Sequence, residues 1–211
     1  VGWELIAAWA RYQCFGMGRS AIIQFSRGCP HRCSYCGQFQ FWAKWRYRDP
    51  ARVAEEIEWL HREHGVMFVD LADENPTSSK RLWMALLEEL ARRALPVRLF
   101  ATIRATDIVR DADILALYRR AGIICILMGI DTTDPDTLAA IRKGSTTQTD
   151  YEAVRLLRRH GMLSMLGHIV GLQEETARTY WRGPPPGGGV APGPLNPPNL
   201  SPRRWSRRAG E

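Results

Sequence analysis

Long apolar runs and a secretory start are both missing from this sequence of 211 residues, and each absence excludes a class of protein. No stretch reaches the roughly 18 apolar residues that a membrane-spanning helix needs, so we expect no membrane span. The start, Val1-Gly2-Trp3-Glu4, has no methionine, no basic stretch and no cleavage site, which excludes a signal peptide and suggests a fragment or an unusual start. Five cysteines without a secretory context indicate a reducing cytoplasm.

The last thirty residues differ in composition from the rest of the chain. The formal net charge is +7, and residues 182–211 hold five arginines against Glu211. The same stretch has eight prolines and six glycines, which prevents regular secondary structure. We therefore expect a disordered Pro/Gly/Arg-rich tail at 181–211, or a frameshifted segment. The basic pI says little about nucleic acid, and we expect no nucleic-acid partner.

Three closely spaced cysteines are the densest chemical signal in the chain. Cys29, Cys33 and Cys36 follow the pattern C-x3-C-x2-C, with the aromatic Tyr35 before the third. Thiolates are soft ligands that suit iron–sulfur clusters or zinc. A loop of this length can bind three irons of a cubic cluster and leave the fourth open for a small molecule. The alternatives are a zinc site with His31 as the fourth ligand, a ferredoxin-like carrier and a disulfide. Zinc motifs usually pair their cysteines, no fourth cysteine follows nearby, and a disulfide leaves one thiol unpaired.

The pattern C-x3-C-x-aromatic-C resembles the signature of the radical S-adenosylmethionine (SAM) superfamily. This resemblance implies that the three cysteines bind a [4Fe-4S] cluster and that Tyr35 lies near the adenine of SAM. It also implies that the open iron chelates SAM, and that reduction cleaves SAM to methionine and a 5'-deoxyadenosyl radical. In such enzymes the cofactor carries the chemistry, while the protein supplies binding, orientation and exclusion of water.

Apolar runs and helix-capping residues alternate along residues 21–170. We expect buried strands at five apolar runs: 21–25, 66–71, 97–103, 123–130 and 162–170. Capping residues predict helix starts between them: Asp49-Pro50, Ser78 or Ser79, Asp111, Asp134-Pro135, and Thr149 or Asp150. Strands that alternate with helices predict an α/β fold with a parallel sheet.

The α/β pattern fits the partial (β/α)6 TIM-like barrel that the resemblance implies. About five β/α units are visible, so the barrel is expected to be truncated. We expect a lead-in segment at 1–20 and a radical SAM core domain at 21–180, ahead of the tail.

In parallel barrels, ligands bind at the carboxyl ends of the strands, so polar residues there are candidate ligand contacts. The resemblance implies that Asp73 or Glu74 contacts the SAM amino group and that Asp131 lies near the ribose. Arg104 would pair with the carboxylate of SAM or of a substrate, or form a structural salt bridge. The alternative for the acidic residues after the second strand is helix capping. A G-x-I-x-G-x-x-E pattern, whose isoleucine packs on adenine, adds Gly167, Ile169 and Gly171.

Residues 26–77 show a closer resemblance, to the anaerobic magnesium-protoporphyrin IX monomethyl ester oxidative cyclases. The shared motifs are C-P-H-x-C-x-aromatic-C, F-W-x-x-aromatic-R-x-R-D-P and L-A-D-E-x-P-T. The resemblance implies an oxygen-independent oxidoreductase that closes the isocyclic ring of (bacterio)chlorophyll precursors with a water-derived oxygen. That family uses the cluster, SAM and cobalamin. Its cobalamin-binding domain and its sixth strand have no counterpart in the sequence.

The partners that the resemblance implies are a porphyrin-type substrate and an electron donor such as ferredoxin or flavodoxin. The aromatic and cationic residues of 39–48 either form a wall for a flat, carboxylated substrate or pack on the barrel as an ordinary surface segment. Two alternatives to the cyclase are another cobalamin-dependent radical SAM enzyme, such as a methyltransferase, and a non-catalytic zinc or iron–sulfur binding module.

Overall fold

A parallel sheet of five strands forms the centre of the computed structural model, which describes residues 2–14 and 16–172. In chain order, the strands are β1 (Arg19–Ile23), β2 (Ser26–Arg27), β3 (Arg46–Tyr47), β4 (Val66–Leu71), β5 (Arg98–Thr102), β6 (Ile123–Asp131) and β7 (Leu163–His168). The parallel sheet has the order β1-β4-β5-β6-β7, and β2 pairs with β3 in a separate antiparallel ribbon. The five predicted strands are confirmed, and their ends differ from the prediction by at most two residues.

Helices connect the strands of the parallel sheet. The α-helices are α1 (Gln38–Trp42), α2 (Pro50–His64), α3 (Lys80–Arg93), α4 (Ala105–Arg110), α5 (Leu115–Arg120), α6 (Pro135–Ala140) and α7 (Thr147–Arg159). Short 3-10 helices occupy Trp3–Leu5, Trp9–Arg11, Pro76–Ser78 and Ala112–Ile114. Helices occupy each of the four connections between the five parallel strands, in the alternating order that the sequence predicted. No helix among the described residues is long and apolar enough to cross a membrane.

Three of the predicted helix starts are confirmed by side-chain caps. Asp49 accepts a hydrogen bond from the backbone of Arg52, and Asp134 accepts one from Thr137. Ser79, rather than Ser78, caps α3. Each cap satisfies a backbone N–H that has no partner within its own helix.

Of the other two predicted starts, the one at Asp111 is correct in position, because the 3-10 helix Ala112–Ile114 follows it, and the one at Thr149 or Asp150 is wrong. Helix α7 begins earlier than predicted because Thr146, not Thr149 or Asp150, accepts the capping hydrogen bond. Asp111 does not cap a helix through its side chain, since its buried carboxylate accepts hydrogen bonds from Arg110 and Tyr118. The unpredicted helix α4 precedes it directly.

One face of the sheet packs against the helices, and the other face is open. Along β1, Ala21 and Ile23 are buried while Ile22 between them is 65% exposed. Trp83 and Tyr118 fill the helical side of the core, where their rings meet edge to face at 5.7 Å. The last two residues of the predicted lead-in at 1–20 belong to β1, which begins at Arg19, and the division into lead-in and core domain stays a prediction. The predicted tail at 181–211 and the last residues of the predicted core domain lie outside the described residues.

Candidate functional site

The three cysteines lie in the loop between β2 and α1, and we call this loop, residues 28–37, the cysteine loop. Cys33 is buried, Cys29 and Cys36 are half-buried, and all three are free thiols. Gly28 opens the loop at φ +92°, where an added Cβ would lie 2.8 Å from the carbonyl oxygen of Lys44. Only glycine tolerates both the backbone angle and the close approach. Burial raises the pKa of Cys29, and the neighbouring thiols of Cys33 and Cys36 raise it further, so the three groups influence one another.

Asp73, which follows β4, holds the chain just before the cysteine loop. Its carboxylate is buried and accepts hydrogen bonds from the Phe25 backbone N–H at 3.1 Å, from the Ser26 hydroxyl at 2.5 Å and from the Ser26 backbone N–H. Burial raises the pKa of Asp73 to about 6, although these hydrogen bonds oppose the shift. Both carboxylate oxygens are committed to the protein. The predicted contact of Asp73 or Glu74 with the SAM amino group stays a prediction.

Glu74 joins the start of the cysteine loop to the end of α1. One carboxylate oxygen accepts a hydrogen bond from the Gly28 backbone N–H at 2.9 Å, and the other accepts one from the Trp42 indole at 2.8 Å. The next residue, Asn75, accepts a hydrogen bond from the Trp45 indole through its carbonyl oxygen. The loop after β4 thus fixes the segments on both sides of the cysteines.

Arg104, at the end of β5, reaches the cysteine loop from a neighbouring strand. Its guanidinium donates to the Cys33 sulfur at 3.7 Å and to the carbonyl oxygen of Lys143. This cation also lowers the pKa of Cys29, against the larger effect of burial. A guanidinium beside a thiol favours the thiolate, which is the form that binds metal. Arg104 forms no salt bridge in the described structure, so its predicted pairing with a ligand carboxylate stays a prediction.

Asp131, at the end of β6, connects Tyr35 with a buried lysine. The Tyr35 hydroxyl donates to the Asp131 carboxylate at 2.6 Å, and the Lys143 ammonium lies 2.7 Å from it. Lys143 is 5% exposed and also donates to the carbonyl oxygen of Gly129. Burial raises the pKa of Tyr35, and the Asp131 carboxylate adds to the rise. Because Asp131 is 4% exposed and already paired, a ribose contact through it also stays a prediction.

The end of β7 comes next to the same network. Gly167 pairs with Gly129 across the sheet, and the Ile169 backbone N–H donates to the Asp131 carbonyl oxygen at 2.9 Å. Gly171 has φ +93°, and a Cβ added to it would meet nothing within 4 Å. The structure therefore brings the predicted glycines and isoleucine to the same edge as Asp131, while their contact with adenine stays a prediction. Glu174 of the predicted pattern lies outside the described residues.

Three cysteine thiols in one loop are the donor set that an iron–sulfur cluster requires. Among residues 2–14 and 16–172, no three His, Cys, Asp or Glu side chains form a group that could hold one metal ion. A zinc site needs sulfur atoms that converge on one point at about 2.3 Å. In a cubic cluster each cysteine binds a different iron, so the thiols surround a larger volume. A cleft of about 520 Å³ lies against Cys33 and Cys36, and its walls include Tyr35, Phe39 and Arg142.

Comparison with known proteins identifies the family to which this geometry belongs. The family model of the radical SAM superfamily matches residues 23–182, which include the strands from β2 to β7 and the whole cysteine loop. The chain belongs to the radical SAM superfamily. Membership implies a [4Fe-4S] cluster and SAM as cofactors, and the predicted partial radical SAM barrel is confirmed.

Curated relatives of this radical SAM chain include two cyclases. The anaerobic magnesium-protoporphyrin IX monomethyl ester cyclase of Synechocystis sp. is 50% identical over 180 residues, which cover 85% of this chain and 36% of that protein. The cyclase of the same name from Rubrivivax gelatinosus is 40% identical over 175 residues, covering 82% of this chain and 32% of that protein. The chain thus spans about a third of the length of these relatives.

A solved radical SAM structure shares the fold. The methyltransferase TsrM from Kitasatospora setae, determined with tryptophan and a SAM analogue bound, has a TM-score of 0.66 and 25% sequence identity. The likeness covers 76% of this chain and 32% of TsrM. The same methyltransferase with cobalamin and a [4Fe-4S] cluster bound has a TM-score of 0.68 at 24% identity, which supports the fold alone.

Sequence reasoning missed two residues that organise the radical SAM site. Lys143 lies in the turn between α6 and α7, far in sequence from the strand ends, and no local pattern marks it as buried. Ser26 follows the predicted first strand and had no predicted role, although both its hydroxyl and its N–H donate hydrogen bonds to Asp73. The only signal in the sequence that could have indicated them is that Asp73 and Asp131 follow buried strands, because a buried carboxylate requires hydrogen-bond or charge partners.

Proposed function

We propose that this chain is the radical SAM core of an oxygen-independent cyclase. The full enzyme would form the isocyclic ring of (bacterio)chlorophyll from magnesium-protoporphyrin IX monomethyl ester. The observation that carries the proposal is 50% identity, over 85% of this chain, to the Synechocystis cyclase. Three free thiols in one loop, held from two neighbouring strand ends, support the same assignment.

The protein groups around the cysteine loop have separate tasks in this proposal. Cys29, Cys33 and Cys36 would hold the cluster, and Arg104 supplies positive charge beside them. When bound, the cluster and SAM supply reductive cleavage of SAM and abstraction of a hydrogen atom from the substrate. The Tyr35 ring is 45% exposed and is fixed by its hydroxyl, so it offers a flat face on which a purine can stack.

The partners of the full enzyme follow from the same assignment. They are a porphyrin-type substrate, cobalamin bound outside the described residues, and a ferredoxin or flavodoxin that donates electrons. A cytoplasmic location suits the free thiols, because a reducing compartment preserves them.

Anaerobic reconstitution tests the proposed function. The full chain is loaded with iron and sulfide, and its reduced form is examined by EPR with and without SAM. We expect a [4Fe-4S] signal that shifts when SAM is added. Cys33→Ser should lose this signal, whereas Cys125→Ser, a change of a half-buried cysteine within β6, should keep it. Stoichiometric zinc and no cluster in the wild-type protein would refute the assignment.

A methyltransferase is the second candidate function, and the likeness to TsrM favours it. Product analysis separates the two enzymes. The reconstituted chain, supplemented with cobalamin, is incubated with SAM, a chemical reductant and the porphyrin ester. Ring closure without a gain of a methyl group supports the cyclase, and methylation without ring closure supports the methyltransferase.

A further inference from the structure

The segment that contains the cysteine loop carries charge of only one sign. Residues 5–48 include seven arginines and lysines and no aspartate or glutamate. Arg27, Arg32, Lys44 and Arg46 are exposed, and so is Arg142 from the turn after α6. None of these five side chains forms an ion pair within the described part of the chain. We call these five residues the cationic rim.

Four residues of the cationic rim lie before, between or after the cysteines in sequence, and Arg142 joins them at the cleft beside Cys33 and Cys36. Arg27 and Arg46 face each other across the β2–β3 ribbon, and their guanidinium carbons lie 5.8 and 5.9 Å from the centre of the Trp42 ring. The backbone of Lys44 touches Gly28 at the entrance to the loop. Arg32 and Arg142 line the cleft against Cys33 and Cys36.

Aromatic rings hold part of the rim in place before any partner binds. Arg32 lies over the Phe39 ring at 5.8 Å, in addition to the two arginines over Trp42. A cation within about 6 Å of a ring centre is attracted to its face. Side chains that are already ordered lose less conformational entropy when they bind a partner.

Acidic residues near the loop do not neutralise the exposed cations. Asp73 and Asp131 are buried, and Glu74 binds Gly28 and Trp42. Glu56 pairs with Arg48, and Asp49 caps α2. The outer surface around the cysteine loop is therefore positive.

We propose that the cationic rim docks an acidic one-electron carrier protein beside the cysteines. The proposal rests on the proposed function, because an electron is useful there only if the three thiols hold a cluster. In the encounter, the carrier loses one electron and the cluster gains it. Electron-transfer complexes bury small interfaces and depend on complementary charge, which suits a rim of pre-ordered cations.

Binding of the full chain to a flavodoxin tests the docking surface without any cluster. The dissociation constant is measured at low and high ionic strength for the wild type and for a double variant, Lys44→Glu with Arg46→Glu. We expect this variant to bind about tenfold more weakly at low salt, with the difference vanishing at high salt. Lys44→Gln with Arg46→Gln should have an intermediate effect. The matched control, Arg81→Glu with Arg120→Glu, changes the same charge on α3 and α5 and should bind like the wild type.

Equal affinity of the rim variant and the control for flavodoxin would overturn the docking proposal. So would a rim variant that keeps flavodoxin binding but loses binding of a single-stranded oligonucleotide, because the surface would then serve nucleic acid. SAM cleavage by the reconstituted protein with titanium(III) citrate, which needs no docking, reports separately on the proposed function. If flavodoxin-driven cleavage drops in the rim variant while titanium-driven cleavage is unchanged, both proposals are supported.

Discussion

Replacement of Asp73 by alanine tests whether this carboxylate holds the cysteine loop. Asp73→Ala removes the acceptor for two backbone N–H groups, those of Phe25 and Ser26, and both residues are almost fully buried. A buried donor without a partner costs about 1–3 kcal/mol. Burial disfavours the charged form of Asp73, and its removal offsets part of this loss. We therefore expect the free energy of unfolding to fall by about 2–4 kcal/mol.

Urea unfolding followed by tryptophan fluorescence measures this change. A graded variant, Ser26→Ala, removes only the hydroxyl contact with Asp73 and should cost about 1 kcal/mol. The matched control is Asp113→Ala, because Asp113 pairs with Lys80 on the surface and its side chain is 68% exposed. The control should leave the urea midpoint unchanged.

The position of the cysteines gives a second measurement for the same variants. If Asp73 fixes the entrance to the loop, its loss should increase the rate at which a small thiol reagent modifies Cys33 under native conditions. A destabilisation below about 1 kcal/mol, with unchanged thiol reactivity, would refute the role that we assign to Asp73.

Three further predictions concern neighbouring residues. Because the pKa of Asp73 is raised, the folded protein keeps the Asp73 proton to higher pH than the unfolded chain does. The contribution of Asp73 protonation to the free energy of unfolding should therefore decline as pH rises from about 4 to about 6. Urea unfolding across this range should show the decline in the wild type but not in Asp73→Ala. Gly28→Ala should destabilise the protein and impair cluster loading, because the new Cβ would lie 2.8 Å from the Lys44 carbonyl oxygen. Gly37→Ala should do neither, because its new Cβ would meet nothing within 4 Å. The iron and sulfide content of the reconstituted variants measures the difference. Lys143→Met should lower the free energy of unfolding by about 3–5 kcal/mol, because it leaves the buried Asp131 carboxylate without its cation. The control is Lys80→Met, which removes the cation of a partly exposed ion pair. If the two variants lower the free energy of unfolding by the same small amount, this reasoning is wrong.

The sequence by itself determined the elements whose signals are local. A continuous apolar run specifies β4 at Val66–Leu71, and both ends match the prediction. Asp49, Pro50 and Gly65 specify the start and the end of α2, because capping and left-handed conformations depend on the residues at the helix ends. The spacing of the three cysteines is also local, and it was enough to indicate the superfamily.

Prediction failed where several residues could make the same local contact. Five of the six residues from Ser145 to Asp150 carry a hydroxyl or carboxyl group that could cap α7, and the chain path selected Thr146. Asp111 looked like a cap because it precedes a helix. In the structure Arg110 and Tyr118 occupy its carboxylate, and these contacts depend on how the helix packs.

Only the tertiary structure decided what the strand-end residues do. Asp73 and Ser26 are 47 positions apart, and Tyr35 and Asp131 are 96 positions apart, so no local pattern could pair them. Adjacent parallel strands bring their carboxyl ends to one edge, and the partners of each carboxylate then depend on register and on the intervening turns. For that reason Asp73 accepts hydrogen bonds from a backbone segment far away in sequence, and Lys143 enters the site from a turn that the sequence did not mark.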